Sequence, residues 1–333
     1  MKPSTYLKIT FLIFAFIFSN ARAQDPRYPA EITVSQDGRG NYKTIQEAIN
    51  SVRDLGEKEV KILIKAGIYK EKIAIPSWKT KISLIGEDKA NTVITFDDYS
   101  GKLNPDKKDA FGKDKFSTFN SYTLLVQAND VKLENLTISN TSGRVGQAVA
   151  LHVEGDRFVA INCNILGNQD TLYAATENSR QFYQDCFIEG TTDFIFGTAT
   201  AVFQGCTIKS LSDSYITAAS TSKNQKFGFV FLGCKIVADS SVSKVALGRP
   251  WRPYAKTVFI NCDLGKHILP AGWNPWKGDL MFPDKEKTVF YAEYKNVGAG
   301  ASPKTRLPWT KQLTAKEAGN YTIENILGDG WKQ

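Results

Sequence analysis

CNILGNQDTLYAATENSRQFYQDCFIEGTTDFIFG, residues 163–197, is two turns of one repeating unit. Cys163 is followed seven residues later by Asp170, and Cys186 seven residues later by Asp193. Equal offsets in consecutive repeats place both carboxylates on one face, one layer apart. Asp170 and Asp193 are 23 residues apart, and a further 23 back lies Gln147. If each repeat is one coil of a stacked solenoid, these three side chains form a column at roughly the 4.8 Å spacing of neighbouring strands. Stacked carboxylates repel and bring no structural gain, so such a pair points to chemistry.

The same frame extends along the chain. INCNI (161–165), QDCFI (184–188), QGCTI (204–208), LGCKI (232–236) and INCDL (260–264) place five cysteines at equivalent positions, and NLTI (135–138) fits with Leu136 at the cysteine position. Repetition at this period marks a solenoid. Short runs rich in Val, Ile and Phe, separated by Gly, Asn or Asp corners, specify strands and not crossover helices. The expected fold class is therefore all-β, a parallel β-helix. Thr44-Ile45-Gln46-Glu47 has the form of a capping box ahead of a short helix to about Val52, which would cover the open end of the stack. The tail, with FYAEYKNVGAGAS (290–302), RLPWTKQLT (306–314), a second capping box at Thr314–Glu317 and a final helical turn in YTIENILG (321–328), is expected to wander over the outside. Residues 98–121 form the longest unpatterned stretch, the signature of a functional or mobile loop.

Lys2 and Lys8, the apolar run Ile9–Phe18 and Ala21-Arg22-Ala23 make residues 1–23 a signal peptide, too short to span a bilayer. Residues 24–333 are then a single catalytic domain, exported to the periplasm or the extracellular space. The formal charge of +8 falls to +5 once Lys2, Lys8 and Arg22 leave. That mild excess suits an acidic substrate and is no nucleic-acid signature. The expected protein is a monomer with no nucleic-acid or membrane partner, cofactor or metal. The five cysteines are expected to be core fillers, with Cys186 and Cys206 the pair to inspect for a disulfide. Asn135, Asn140 and Asn320 begin N-x-S/T sequons.

No GxSxG elbow, HExxH or CxxC pair occurs, and the only histidines, His152 and His267, are expected to be structural. The carboxylate pair is the remaining candidate. Two close carboxyl groups titrate apart, so one can attack while the other holds a proton. Gln147 and Gln169 carry amide donors suited to an oxyanion. Arg249 can hold an ionised carboxylate bidentately, and Trp251, Tyr173, Phe196 and Trp273 offer faces for sugar rings.

These motifs resemble the pectin methylesterase (pectinesterase) family. GIYKE (67–71), QAVAL (147–151), QDTLY (169–173), DFIFG (193–197), LGRPW (247–251) and AGW (271–273) occur in order, and the likeness runs from about residue 31 to the C-terminus. The resemblance implies a right-handed parallel β-helix that hydrolyses galacturonate methyl esters of pectin, releasing methanol. It further implies Asp193 as nucleophile, Asp170 as general acid and then base, and Gln147 and Gln169 as the oxyanion site. Arg249 would keep Asp193 ionised, and Trp251, Tyr173, Phe196 and Trp273 would bind the sugar. A longer TENSRQ (176–181) segment, His152 after QAVAL and the lack of an inhibitory pro-region point to a bacterial-type member. The rival readings are a β-helix glycosidase acting on polygalacturonate, a carbohydrate-binding solenoid, and an esterase for another uronate ester.

Overall fold

Each coil turns on a residue in the left-handed backbone region. Asn135, Asn162, Asp185, Gly205, Gly233 and Asn261 have φ between 51° and 63°, and each precedes a cysteine or its substitute Leu136. Asn, Asp and Gly tolerate this conformation where other residues are strained. The N-C, D-C and G-C dipeptides of the repeat are therefore corners: one left-handed residue turns the chain, and the cysteine then points inward.

The computed structural model describes residues 28–106, 108, 112–328 and 331; the signal peptide expected at residues 1–23 lies outside them. Three parallel sheets of eleven, eight and seven strands form the faces of a right-handed parallel β-helix. One coil shows the plan. Phe158–Ile161 lies in the long sheet, Asn164–Leu166 in the second and Leu172–Ala174 in the third, before Arg180–Gln184 returns to the first. Parallel pairing joins each strand to its counterpart one coil away, as with Phe158 opposite Gln181 and Leu172 opposite Ile195.

The interior is a set of ladders. Tyr183, Phe203, Phe231 and Phe259 stack face to face at 4.8, 4.5 and 4.2 Å between ring centroids. Each such pair adds roughly 0.5–1.5 kcal/mol beyond its buried area. Beside them run the five cysteines, all buried and all free thiols, including Cys186 and Cys206. The Sγ atoms of Cys186, Cys206, Cys234 and Cys262 face main-chain carbonyls of the preceding coil: Cys206 reaches Tyr183 O at 3.4 Å and Cys234 reaches Phe203 O at 3.2 Å. The cysteines thus fill the core as expected.

The helix Ile45–Ser51 covers the first coils with Ile45, Ala48 and Ile49 buried. Thr44 Oγ1 accepts from Glu47 N, but the other free amides, those of Ile45 and Gln46, are taken by the Glu71 carboxylate at 3.0 Å each. Glu71 closes the GIYKE motif, so that motif anchors the end cap. At the other end the expectation of a wandering tail is corrected. Phe290–Tyr294 and Lys311–Gln312 continue the long sheet as its last two strands. The alternation in FYAEY drives this, since Tyr291 turns fully inward at 1 % exposure. The helix Ile323–Leu327 does pack outside, its Ile326 and Leu327 lying against Val159, Phe182, Val202 and Val230 of the long sheet.

The loop at 98–121 is pinned at its base. The buried Asn140 amide donates to Asp98 O, Ser121 O and Val149 O at 2.8, 3.2 and 3.1 Å, so one side chain ties both ends of the loop. Lys72 adds bonds to Asp98 and to Asn120 O, with its ammonium 4.1 Å from the Phe116 ring centroid. Asn140→Ala would leave three carbonyls short of a donor, at a cost of about 1–3 kcal/mol. A lowered thermal midpoint together with a raised KM is the expected result, because this loop carries Thr118 and Phe119 into the cleft described next. With its amide fully engaged and buried, Asn140 is no glycan acceptor in the folded chain.

Candidate active site

Asp170 and Asp193 precede equivalent strands of the seven-stranded sheet, one coil apart. Tyr173 lies opposite Phe196 in the register, and Asp170 N donates to Thr192 O. The 23-residue offset therefore does stack the two aspartates. Both have left-handed backbones, φ 64° and 49°, which aspartate tolerates better than most residues. This conformation aims each carboxyl out of the sheet at the rim of an open cleft of about 270 Å3, lined by Thr118, Phe119, Gln147, Gln169, Asp170, Asp193, Phe196, Ala218, Arg249, Trp251 and Trp276.

The expected column needs one correction. Gln147 bridges to Gln169 and not to Asp170. Ala148 N and Ala150 N donate to Gln169 O and Thr171 O, so three residues on the lower coil oppose two on the upper. The paired strands here are 21 residues apart (Leu151 to Leu172) and not the 23 of Leu172 to Ile195, so Gln147 falls short of Asp170 and the two glutamines lie side by side next to the carboxylates. Neither glutamine amide bonds a described residue, so both are available to a ligand. The position above Asp193 belongs to Tyr215, whose carbonyl accepts from Asp193 N at 2.8 Å.

The carboxylates differ in their partners. Arg249 grips Asp193 with Nε at 3.0 Å from Oδ1 and Nη2 at 2.7 Å from Oδ2. Among the described residues no side chain donates to Asp170. Burial pushes the Asp170 carboxyl up to about 8, and the neighbouring Asp193 charge adds to the shift. Burial also raises Asp193, but the Arg249 bond and charge pull it back. Environment thus pushes the pair apart: Arg249 favours the ionised form of Asp193, while burial favours the protonated form of Asp170.

The aromatic floor follows from the sheet register. His152, Tyr173 and Phe196 occupy successive positions on the outer face, with Tyr173 4.4 Å from the His152 ring and stacked on Phe196 at 4.5 Å. His152 supports this stack and contacts Phe119 O and Glu154. Trp251 meets Phe196 edge-on at 5.8 Å. Trp273, expected on the sugar-binding surface, is not there. It is buried at 3 % exposure between Phe259 and Tyr291, and its indole N–H donates to Glu293. An isolated bridge to Gly248 fixes its backbone on the stack, with the ring turned inward. Its place at the cleft is taken by Trp276, three residues on, where a left-handed backbone turns the ring 3.6 Å from the Arg249 guanidinium. Tyr215 flanks the same guanidinium at 4.1 Å. No spacing marked Trp276, Tyr215 or Phe119; the NPWKG turn was the one available sign for Trp276.

Fold and site together define a parallel β-helix protein with a paired-aspartate, arginine-held centre in an aromatic cleft. The pectinesterase family model matches residues 31–330, and the chain belongs to the pectinesterase family. It is 38 % identical over 328 residues to a probable pectinesterase/pectinesterase inhibitor of Arabidopsis thaliana, covering 90 % of this chain and 52 % of that one. The chain thus spans about half the length of the curated relatives of that kind. Among solved structures, carrot pectin methylesterase superposes with a TM-score of 0.79 at 35 % identity, covering 89 % of this chain and 92 % of the carrot chain. A pectin methylesterase in complex with a hexasaccharide superposes with a TM-score of 0.77 at 32 % identity over 91 % of this chain and 97 % of its own.

Proposed function

We propose that the protein is a carboxylic ester hydrolase that removes methyl esters from galacturonate units of pectin through a covalent acyl-enzyme. The observation that carries this reading is the asymmetric pair: Asp193 clasped by Arg249, Asp170 with no donor and a carboxyl pushed to about 8. An Asp193 oxygen attacks the ester carbonyl carbon, and the carbonyl π electrons move onto its oxygen. The amide N–H groups of Gln147 and Gln169 receive that oxyanion. Collapse expels the methoxy group, which takes the Asp170 proton and leaves as methanol. The resulting Asp170 carboxylate removes a proton from water, whose oxygen attacks the galacturonyl carbon. Asp193 departs as carboxylate, and a free galacturonate remains. Trp251 and Trp276, both half-buried at the cleft, are the rings open to the sugar, with the buried Phe196 beneath them and Tyr173 buttressing Phe196.

Among the described residues no helix is long and apolar enough to cross a membrane. The leader expected at residues 1–23 is the support for action outside the cytoplasm, where the protein would work on pectin as a monomer. Methanol and new reducing ends, both measured with highly methylated pectin, test the reading. Methanol without reducing ends is expected; reducing ends without methanol would instead make the protein a glycosidase.

The pH profile should be bell-shaped. Activity rises as Asp193 ionises above the usual carboxylate range and falls as pH climbs through about 8, where Asp170 loses the proton it must donate. A folded-state pKa above the unfolded value also means that Asp170's contribution to stability is full below about pH 4 and lost as pH rises through about 8. Thermal midpoints across that range should therefore fall in the wild type and flatten in Asp170→Asn.

A further inference from the structure

One buried cation has no part in this chemistry. Lys285 is 1 % exposed. Its ammonium donates to Asp279 Oδ2 and lies 4.5 Å from the Trp276 ring centroid. A buried ammonium with a single carboxylate partner is costly to desolvate, and this one also stands in the field of two like charges, Arg249 and Arg252. Replacing it by an apolar side chain would remove those costs, so the arrangement calls for a compensating role.

The role follows from how Arg249 is held. Apart from Asp193, no described side chain hydrogen-bonds its guanidinium, so its plane is set by the rings of Tyr215 and Trp276. Tyr215 sits on a strand and is fixed by the sheet. Trp276 sits in the irregular segment 274–288, which has left-handed residues at Trp276 and Asp284 and nearly bare side chains at Leu280 and Met281. Among the described side chains of that segment the Lys285–Asp279 pair is the longest-range internal tie, spanning six residues where the Lys287–Asp284 pair spans three. Asp279 Oδ1 also caps the turn by accepting from Met281 N and Phe282 N.

We propose that Lys285 is a positioning residue: tied to Asp279, it holds Trp276 against Arg249 and so keeps the guanidinium in register with the Asp193 carboxylate. This rests on the esterase reading for its consequence, though not for its geometry. A slack Arg249 spends time off Asp193, which then ionises at higher pH and is aimed less well. The groups facing the pair are Asp170 and Arg249 at Asp193, and Asp279, Arg249 and Arg252 at Lys285.

The test uses the full mature chain carrying Lys285→Met, Lys285→Arg, Asp279→Asn and Trp276→Leu. Lys285→Met should lower kcat for methanol release about tenfold, a loss equivalent to about 1.4 kcal/mol, with KM within about twofold and the acid limb of the pH profile moved upward. Lys285→Arg should restore most of kcat. The Lys285→Met/Trp276→Leu double variant should lose little more than either single variant, because both cut one chain of contacts. Asp279→Asn should repeat the Lys285→Met pattern more weakly, and it serves in its place if the Met variant does not fold. An unchanged kcat and acid limb with only a lower thermal midpoint would overturn the proposal, as would full additivity in the double variant. The second readout is tryptophan emission. Lys285→Met should shift it in the wild-type background and not in Trp276→Leu; equal shifts in both would overturn the proposal whether or not the enzyme releases methanol. A wild type that releases none would sink the esterase reading alone.

Discussion

Asp193→Asn is expected to abolish methanol release, with a loss of at least about 10^4-fold, the scale seen when one member of an acyl-transfer unit is removed. The amide is nearly isosteric with the carboxylate, so the ring stack and the cleft should stay in place. What disappears is the attacking oxygen and the charge that Arg249 faces at 2.7 Å. Stability should change little, because Arg249 is not sealed from solvent and can be rehydrated. A second consequence separates this from general damage. The Asp193 charge helps hold the Asp170 carboxyl at about 8, so Asp170 in the variant should titrate lower, though still above the usual range because burial is the larger cause. Direct observation of the Asp170 carboxyl by NMR or infrared difference spectroscopy checks this. A variant that keeps substantial methanol release would exclude Asp193 as the nucleophile.

The next largest loss is expected from Arg249→Met. The guanidinium makes charge-assisted bonds to both Asp193 oxygens, and hydrogen bonds to charged groups contribute about 1.5–3 kcal/mol each. Losing them should cost on the order of 10^2-fold or more in kcat/KM. The sign of the pH effect is set by the causes of the Asp193 shift. Burial raises it and Arg249 alone lowers it, so removing Arg249 lets burial act unopposed and moves the acid limb upward. Part of the activity should return at higher pH, until Asp170 in turn loses its proton. Arg249→Lys should not rescue it. A lysine cannot span both carboxylate oxygens, and its compact ammonium cannot lie flat between Tyr215 and Trp276 as the guanidinium does. A pH profile that falls without shifting would mean that Arg249 acts on the substrate and not through Asp193.

Much of this molecule is written in local pattern. A left-handed corner can be filled only by a few residue types, so Asn162-Cys163, Asp185-Cys186 and Gly205-Cys206 announce the coil, its period and the inward face without any tertiary information. The equal Cys-to-Asp offset then places Asp170 and Asp193 in one column, because both distances are counted within a single regular unit. The sequence also named Arg249, Gln147 and Gln169 through motifs, and the fold brings all three into one cleft. Where the period breaks, reading by offset fails. Leu151 pairs with Leu172, 21 residues on, while Leu172 pairs with Ile195, 23 on, so the shorter coil sets Gln147 beside Gln169 instead of Asp170.

Only the folded chain could decide which tryptophan meets the cleft. Trp273 and Trp276 are three residues apart, and their fates diverge because one is bridged to Gly248 while the other sits on a left-handed turn. The same holds for Phe119, delivered by a loop whose ends Asn140 ties together across 42 residues on one side and 19 on the other. It holds again for Lys285, whose burial beside Trp276 has no local signature. Short-range sterics and periodicity dictate the scaffold and the carboxylate column, because they act between residues a few positions apart. The walls of the cleft and the unequal titration of the two aspartates depend on which distant groups burial brings together.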